Sequence, residues 1–297
     1  MAREFRLLRR NLVHCGYYGQ YLSQYDARAL VSRDGSQSRK SSQLLLDENE
    51  GSAARAMKLR YEIWPKTGTV TDFLLWTKNH LLKGHPVIWG VYANTKLFNI
   101  TPAQGDNYDH IVPVVKFKSN HDIMENRVHP DDEITFSDNG DYAQSVRSGP
   151  MHWSYPISKL IFSRAEQPNQ PYYLNDGENS AVAITGIEDE NSETLRVQVQ
   201  PGQRHEYGEI DDGKDERPEA KPVRLEITVS GLTPGIYYKL YKYDNLASVP
   251  VSNFNAQRRK ATKAFDIMIS SGSTNTIRET IMSDEMALYR AVEADAP

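Results

Sequence analysis

Residues 223–244, VRLEITVSGLTPGIYYKLYKYD, contain the clearest structural signal in the chain. Apolar and polar residues alternate from Val223 to Val229, which is the two-residue period of a strand with one buried face. A Gly-Leu-Thr-Pro-Gly turn follows, in which Pro234 presets one backbone angle and Gly235 permits the next. The segment therefore predicts a strand, a tight turn and a returning strand.

Further short strands separated by turns lie on both sides of this segment: AVAITGIED (181–189), LRVQVQP (195–201) and AFDIMIS (264–270). The insert from Gln203 to Lys221 is too charged for a core and indicates a loop. The turn and the tyrosine-rich strand after it resemble the middle of a fibronectin type III-like module, in which Leu232 closes the bottom of the sandwich. We therefore expect residues 178–297 to form a fibronectin type III-like β-sandwich.

The first half of the chain mixes helix and strand patterns. Thr71 is placed to cap an amphipathic helix that ends at Gly84. Three strands are expected, at 86–92, 109–117 and 133–137. An aromatic-rich helix is expected to end near Ser163, and residues 168–177 indicate a linker. These patterns predict an α/β domain over residues 1–165.

The order of these pieces resembles the papain-like cysteine peptidases, especially the bacteriocin leader-processing, double-glycine type. The segments that carry the resemblance are Cys15-Gly16, Tyr17-Tyr18-Gly19, KGHPVIWGVY, YDHIVPVV and DEITFSDNG, within residues 11–142. The resemblance implies a fold class of an α+β papain-like domain followed by an all-β sandwich domain. It also implies a cysteine-peptidase-like hydrolase that acts on a peptide or protein.

The resemblance places His110 as the catalytic base, at the start of its strand. Asp138 takes the position of the residue that orients the imidazole, and Asn139 is its competitor. Cysteine peptidases need this arrangement because a thiol becomes a good nucleophile only beside an oriented imidazole. By itself, a histidine that opens an apolar strand is more often a structural residue.

Cys15 is the only cysteine and therefore the only candidate nucleophile. It directly precedes Tyr17-Tyr18-Gly19, whereas the family's cysteine begins the helix that such a segment ends. This position predicts a protein that is inactive, either because its N-terminus is incomplete or because it is a non-catalytic relative. A shifted helix start would let Cys15 act. The competing hypothesis is a binding or structural protein that uses the papain-like cleft or the β-sandwich for recognition.

Composition excludes several other functions. The 35 basic and 39 acidic residues give a net charge of −4, so nothing favours nucleic acid as a partner. No apolar run is long enough to span a membrane. The sequence contains no dinucleotide, nucleotide-phosphate or metalloprotease motif, so we expect no cofactor and no metal. It leaves localisation open.

Overall fold

The computed structural model describes residues 16–22, 26, 30, 49–98, 110–137, 152–163, 169–176, 179–201 and 219–295. The chain divides into two compact units. Unit I contains Asn49–Arg60 and Gly186–Pro297, together with the described residues 16–22. Unit II contains Tyr61–Thr185.

The described residues contain three α-helices and fourteen strands. The helices are α1 (Asn49–Ala56), α2 (Val70–Leu82) and α3 (Thr95–Phe98). The strands are β1 (Gln20–Tyr21), β2 (Leu59–Ile63), β3 (Val87–Ala93), β4 (His110–Lys118), β5 (Glu133–Ser137), β6 (His152–Pro156), β7 (Tyr172–Tyr173), β8 (Ala181–Ile187), β9 (Thr194–Pro201), β10 (Pro222–Ser230), β11 (Tyr237–Tyr243), β12 (Lys263–Met268), β13 (Thr274–Met282) and β14 (Ala287–Glu293).

The core of unit II is formed around β3 and α2. The strands follow the order β2-β8-β3-β4-β5-β6, and β7 pairs with the end of β3. Every residue of β3 is buried, as its continuous apolar sequence predicts. The cap of α2 is Thr69, not Thr71, because Thr69 and Asp72 form a reciprocal capping box. The helix then packs Phe73 and Leu74 into the core that it shares with β3.

The predicted α+β papain-like fold class is wrong, because the described chain is mostly β, built on two antiparallel sheets. The expected aromatic helix before Ser163 is instead β6, paired with β5 in antiparallel register and followed by one 3-10 turn. Trp153 and Tyr155 both pack against the core of unit II. Alternation of aromatic and polar residues suits a half-buried strand better than a helix.

Apart from α1, unit I is built mainly from strands and has a β-sandwich-like architecture. Its strands follow the order β12-β11-β14-β9-β10-β13, and β1 pairs with β14. The alternation in β10 is confirmed, since Leu225, Ile227 and Val229 are fully buried. The returning strand β11 directs Tyr238 and Leu240 into the same core.

The turn between β10 and β11 follows from its sequence. Gly235 adopts a positive φ of 79°, which a residue with a side chain rarely does. Leu232 is 3% exposed, in the core of the unit. The hydroxyl of Tyr238 accepts a hydrogen bond of 3.0 Å from the Thr233 N–H. Immunoglobulin-like sandwiches make a similar tyrosine contact at a strand corner.

Residues 168–177, expected as a linker, include β7. Tyr172 and Tyr173 are fully buried there and pair with β3. A division into independently folding domains at residues 1–165 and 178–297 stays a prediction. Among the described helices, none has the length and hydropathy needed to cross a membrane.

Candidate functional site

His110 is the one predicted site residue that the structure describes. It begins β4, opposite Val91 of β3, and is 2% exposed. Residues directly opposite in a sheet share a face, so His110 lies on the face of Val91 and Val112, which belong to the core of unit II. His110 therefore begins a buried strand, as the sequence predicts, and its exposure is as low as that of a core residue.

The imidazole of His110 is held against an aromatic cluster. Its ring stacks on Tyr172 at a centroid distance of 5.4 Å and an interplanar angle of 19°. Tyr172 in turn makes edge contacts with Phe136 at 6.0 Å and Trp153 at 6.2 Å. Pairing of β7 with β3 fixes the Tyr172 backbone, so the ring plane of His110 is defined by its packing.

Cys15, Asp138 and Asn139 lie outside the described residues. The residues that follow Cys15 belong to unit I. A Cβ on Gly16 would lie 2.5 Å from the carbonyl oxygen of Val199, so only glycine fits there. Gln20 pairs with Leu288 of β14, and the Tyr17 ring lies 4.2 Å from the Arg196 guanidinium.

A second candidate site lies on the outer face of β11 and β12 in unit I. Tyr237 is opposite Met268, and Lys239 is opposite Asp266, so all four side chains share one face. This face is opposite to the one that carries Tyr238 and Leu240 into the core. Met268 is 68% exposed on this face. We call Tyr237, Lys239, Asp266 and Met268 the β12 patch.

Hydrogen bonds fix the polar side chains of the β12 patch. The Tyr237 hydroxyl donates to Asp266 Oδ1. Lys239 Nζ donates to the same oxygen at 2.6 Å and to the Tyr237 hydroxyl at 3.0 Å. The hydrogen bond to Asp266 raises the pKa of Lys239, and that bond lowers the pKa of Asp266. Both groups are therefore charged near neutral pH, and Lys239 cannot serve as a nucleophile there.

The β12 patch could not be found from sequence alone. The tyrosine stripe of β11 was visible, but Lys239 and Asp266 are 27 positions apart and meet only through the register of β11 and β12. The one local signal was Met268, which is an apolar residue at a solvent-facing position of an alternating strand.

No metal site is seen in the part of the chain that the structure describes, since no group of three or more His, Cys, Asp or Glu side chains is arranged to hold an ion. No family model matches the chain, and no curated protein matches it significantly.

Proposed function

We propose that this protein binds an extended peptide or protein segment at the β12 patch and acts without cysteine-peptidase turnover. The observation that carries the proposal is the half-buried Tyr237, which hydrogen bonds hold in place beside an exposed Met268. Tyrosine and methionine are enriched in protein interfaces, where tyrosine often contributes a large share of the binding energy.

Preorganisation is the physical advantage of this arrangement. A side chain that is already fixed loses little rotamer freedom when a ligand binds. Asp266 fixes both the Tyr237 hydroxyl and Lys239 Nζ before any ligand arrives. The charges of Lys239 and Asp266 compensate each other, so the patch suits a ligand with an apolar side chain to place against Tyr237 and Met268.

The neighbouring backbone offers a second point of attachment. Among the described strands, β12 pairs only with β11, so within the described part of the chain its other edge has no strand partner for its N–H and C=O groups. An extended peptide can add to such an edge as a further strand. Lys263 and Asp266 place charges on β12, which disfavour unspecific association of edges.

The environment of His110 supports the absence of turnover. A general base must reach the proton that it abstracts from the substrate or the nucleophile. His110 is 2% exposed and its ring stacks on Tyr172, which is typical of a structural histidine in a core.

Replacement of the patch residues should weaken peptide binding. Peptides would be selected from a random-sequence library on the immobilised full chain, and their dissociation constants measured by fluorescence anisotropy. We expect Tyr237→Ala to weaken binding about 30-fold, equivalent to about 2 kcal/mol. Met268→Ala should weaken binding less. The control Met124→Ala should leave binding unchanged, since Met124 is similarly exposed but is not part of the β12 patch. Selected peptides that tolerate both patch substitutions, or a library that yields no binder, would contradict the proposal.

The competing function is peptide hydrolysis, in which His110 would act as the general base. In that case an imidazolium would activate the Cys15 thiol. We expect instead that iodoacetamide labels Cys15 slowly at neutral pH, at the same rate in the wild type and in His110→Ala. Fast labelling below neutral pH that is lost in His110→Ala would establish a thiolate–imidazolium pair and favour the enzyme.

A further inference from the structure

Arg290 is a buried cation in unit I with open hydrogen-bond donors. It lies in β14 and is 1% exposed. Its Nη1 donates to the carbonyl oxygens of Tyr18 at 3.2 Å and Tyr289 at 2.9 Å. Its Nε and Nη2, which carry three N–H groups, have no hydrogen-bond partner among the described residues.

The surroundings of Arg290 are largely apolar. Leu288 and Val292, the residues on either side of it on the same face of β14, belong to a buried apolar cluster. Burial lowers the pKa of Arg290 to about 10, so the guanidinium still carries its charge at neutral pH. The carboxylate of Asp189 also attracts the guanidinium. Its Oδ2 accepts from the N–H and the hydroxyl of Thr194, at 2.6 and 2.7 Å, and its Oδ1 is buried without a hydrogen-bond partner among the described residues.

A further open donor lies beside the guanidinium. Tyr241 is directly opposite Arg290 across the β11–β14 pair, and Tyr243 is opposite Leu288. Tyr243 and Arg290 are therefore diagonal neighbours on one face, within reach of long side chains. The Tyr243 side chain is fully buried, and its hydroxyl has no hydrogen-bond partner in the described part of the chain.

Such a group of donors is unfavourable unless something accepts from them. A buried donor that lacks a partner costs about 1–3 kcal/mol, and more when the group is charged. A water molecule would accept hydrogen bonds from the guanidinium but would add no negative charge beside it, so the carboxylate of Asp189 would be its only counter-charge among the described residues. A small monovalent anion accepts from several donors at once and also neutralises the charge.

We infer that Arg290 and Tyr243 bind a halide ion, chloride under ordinary conditions, inside unit I. The Nε–H and Nη2–H groups of Arg290 and the hydroxyl of Tyr243 donate to the ion. The ion stabilises the folded chain because it binds the native state alone. This site is independent of the β12 patch.

The test is thermal unfolding of the full chain in sodium chloride and in sodium gluconate at equal ionic strength. The melting temperature of the wild type should rise with chloride and reach a plateau. Tyr243→Phe should need about tenfold more chloride for half of the effect, since a hydrogen bond to a charged group contributes about 1.5 kcal/mol or more. The matched control Tyr241→Phe should respond as the wild type does, because the Tyr241 hydroxyl donates to Asn255 instead.

Equal melting temperatures of the wild type in the two salts would overturn the inference and assign the open donors to water. An undiminished chloride response in Tyr243→Phe would overturn the site as described. Arg290→Met, where it folds, should lose the response entirely. Anomalous scattering from crystals grown in bromide provides a check that does not depend on any variant, and a peak beside Arg290 is expected.

Discussion

Glu279→Gln should destabilise unit I by about 3 kcal/mol, because it leaves a nearly buried lysine without its counter-charge. Glu279 is opposite Leu225 in the β10–β13 pair and therefore points into the sandwich. Its side chain is 10% exposed and lies 3.3 Å from Lys242 Nζ, whose side chain is 12% exposed. It also accepts from Tyr289 at 2.6 Å and from Lys263 at 3.1 Å.

The measurement is the free energy of unfolding of the full chain in urea, followed by far-ultraviolet circular dichroism. Glu226→Gln is the matched control. Glu226 lies in β10 and contacts Arg278 of β13, but this pair is exposed, so its removal should cost at most about 1 kcal/mol. We call Glu279 and its partners Lys242, Lys263 and Tyr289 the Glu279 cluster. Equal losses of unfolding free energy in the two variants would show that this cluster is solvated and makes no special contribution to stability.

The Glu279 cluster also predicts a pH dependence. Burial raises the pKa of Glu279, but hydrogen bonds from Tyr289 and Lys263 and the charge of Lys242 outweigh it, so the pKa lies below its ordinary value. A lowered pKa in the folded state adds stability above the unfolded pKa of about 4.3, and this stability is lost as pH falls through the folded pKa. The difference between wild type and Glu279→Gln should therefore be constant above about pH 5 and shrink below about pH 4.

Tyr172→Ala should destabilise unit II by about 3–5 kcal/mol, which is the usual cost of removing a fully buried aromatic ring. Tyr172 is fully buried and contacts His110, Phe136 and Trp153. All four tryptophans of the chain lie between Tyr61 and Thr185, so tryptophan fluorescence reports on unit II alone.

The tryptophan-detected transition of Tyr172→Ala should move to lower urea concentration. Tyr172→Phe keeps the ring and removes only the hydroxyl. It should lower the free energy of unfolding by less than about 1.5 kcal/mol. An unchanged transition in Tyr172→Ala would mean that the ring is not part of the core and that His110 is not packed against it.

Local sequence patterns predicted the strands well, because each strand carries its own periodicity. The continuous apolar run of β3 and the alternation of β10 are both evident in the sequence alone. The predicted fold class was wrong in part because aromatic residues occur in both helices and strands. The segment of β6 shows this, since it is a strand where the sequence predicts a helix. Tyr172 and Tyr173 were assigned to a linker because proline, asparagine and glycine surround them, whereas their burial results from pairing with β3.

The candidate sites were harder to predict because they depend on contacts between distant strands. His110 was found through a resemblance that remains a prediction, since neither a family model nor a curated protein matches the chain. The β12 patch requires the register that places Asp266 opposite Lys239. The open donors of Arg290 require knowledge of what surrounds it, and no local pattern contains that information.

Amide hydrogen exchange tests the proposed binding site most directly. It would be measured on the full chain, free and saturated with a library-selected peptide. We predict slower exchange in β12, residues 263–268, because the added strand would pair with its open edge, and no change in the other edge strand, β13. Protection that appears instead at the His110 end of β4, with β12 unaffected, would contradict recognition at the β12 patch.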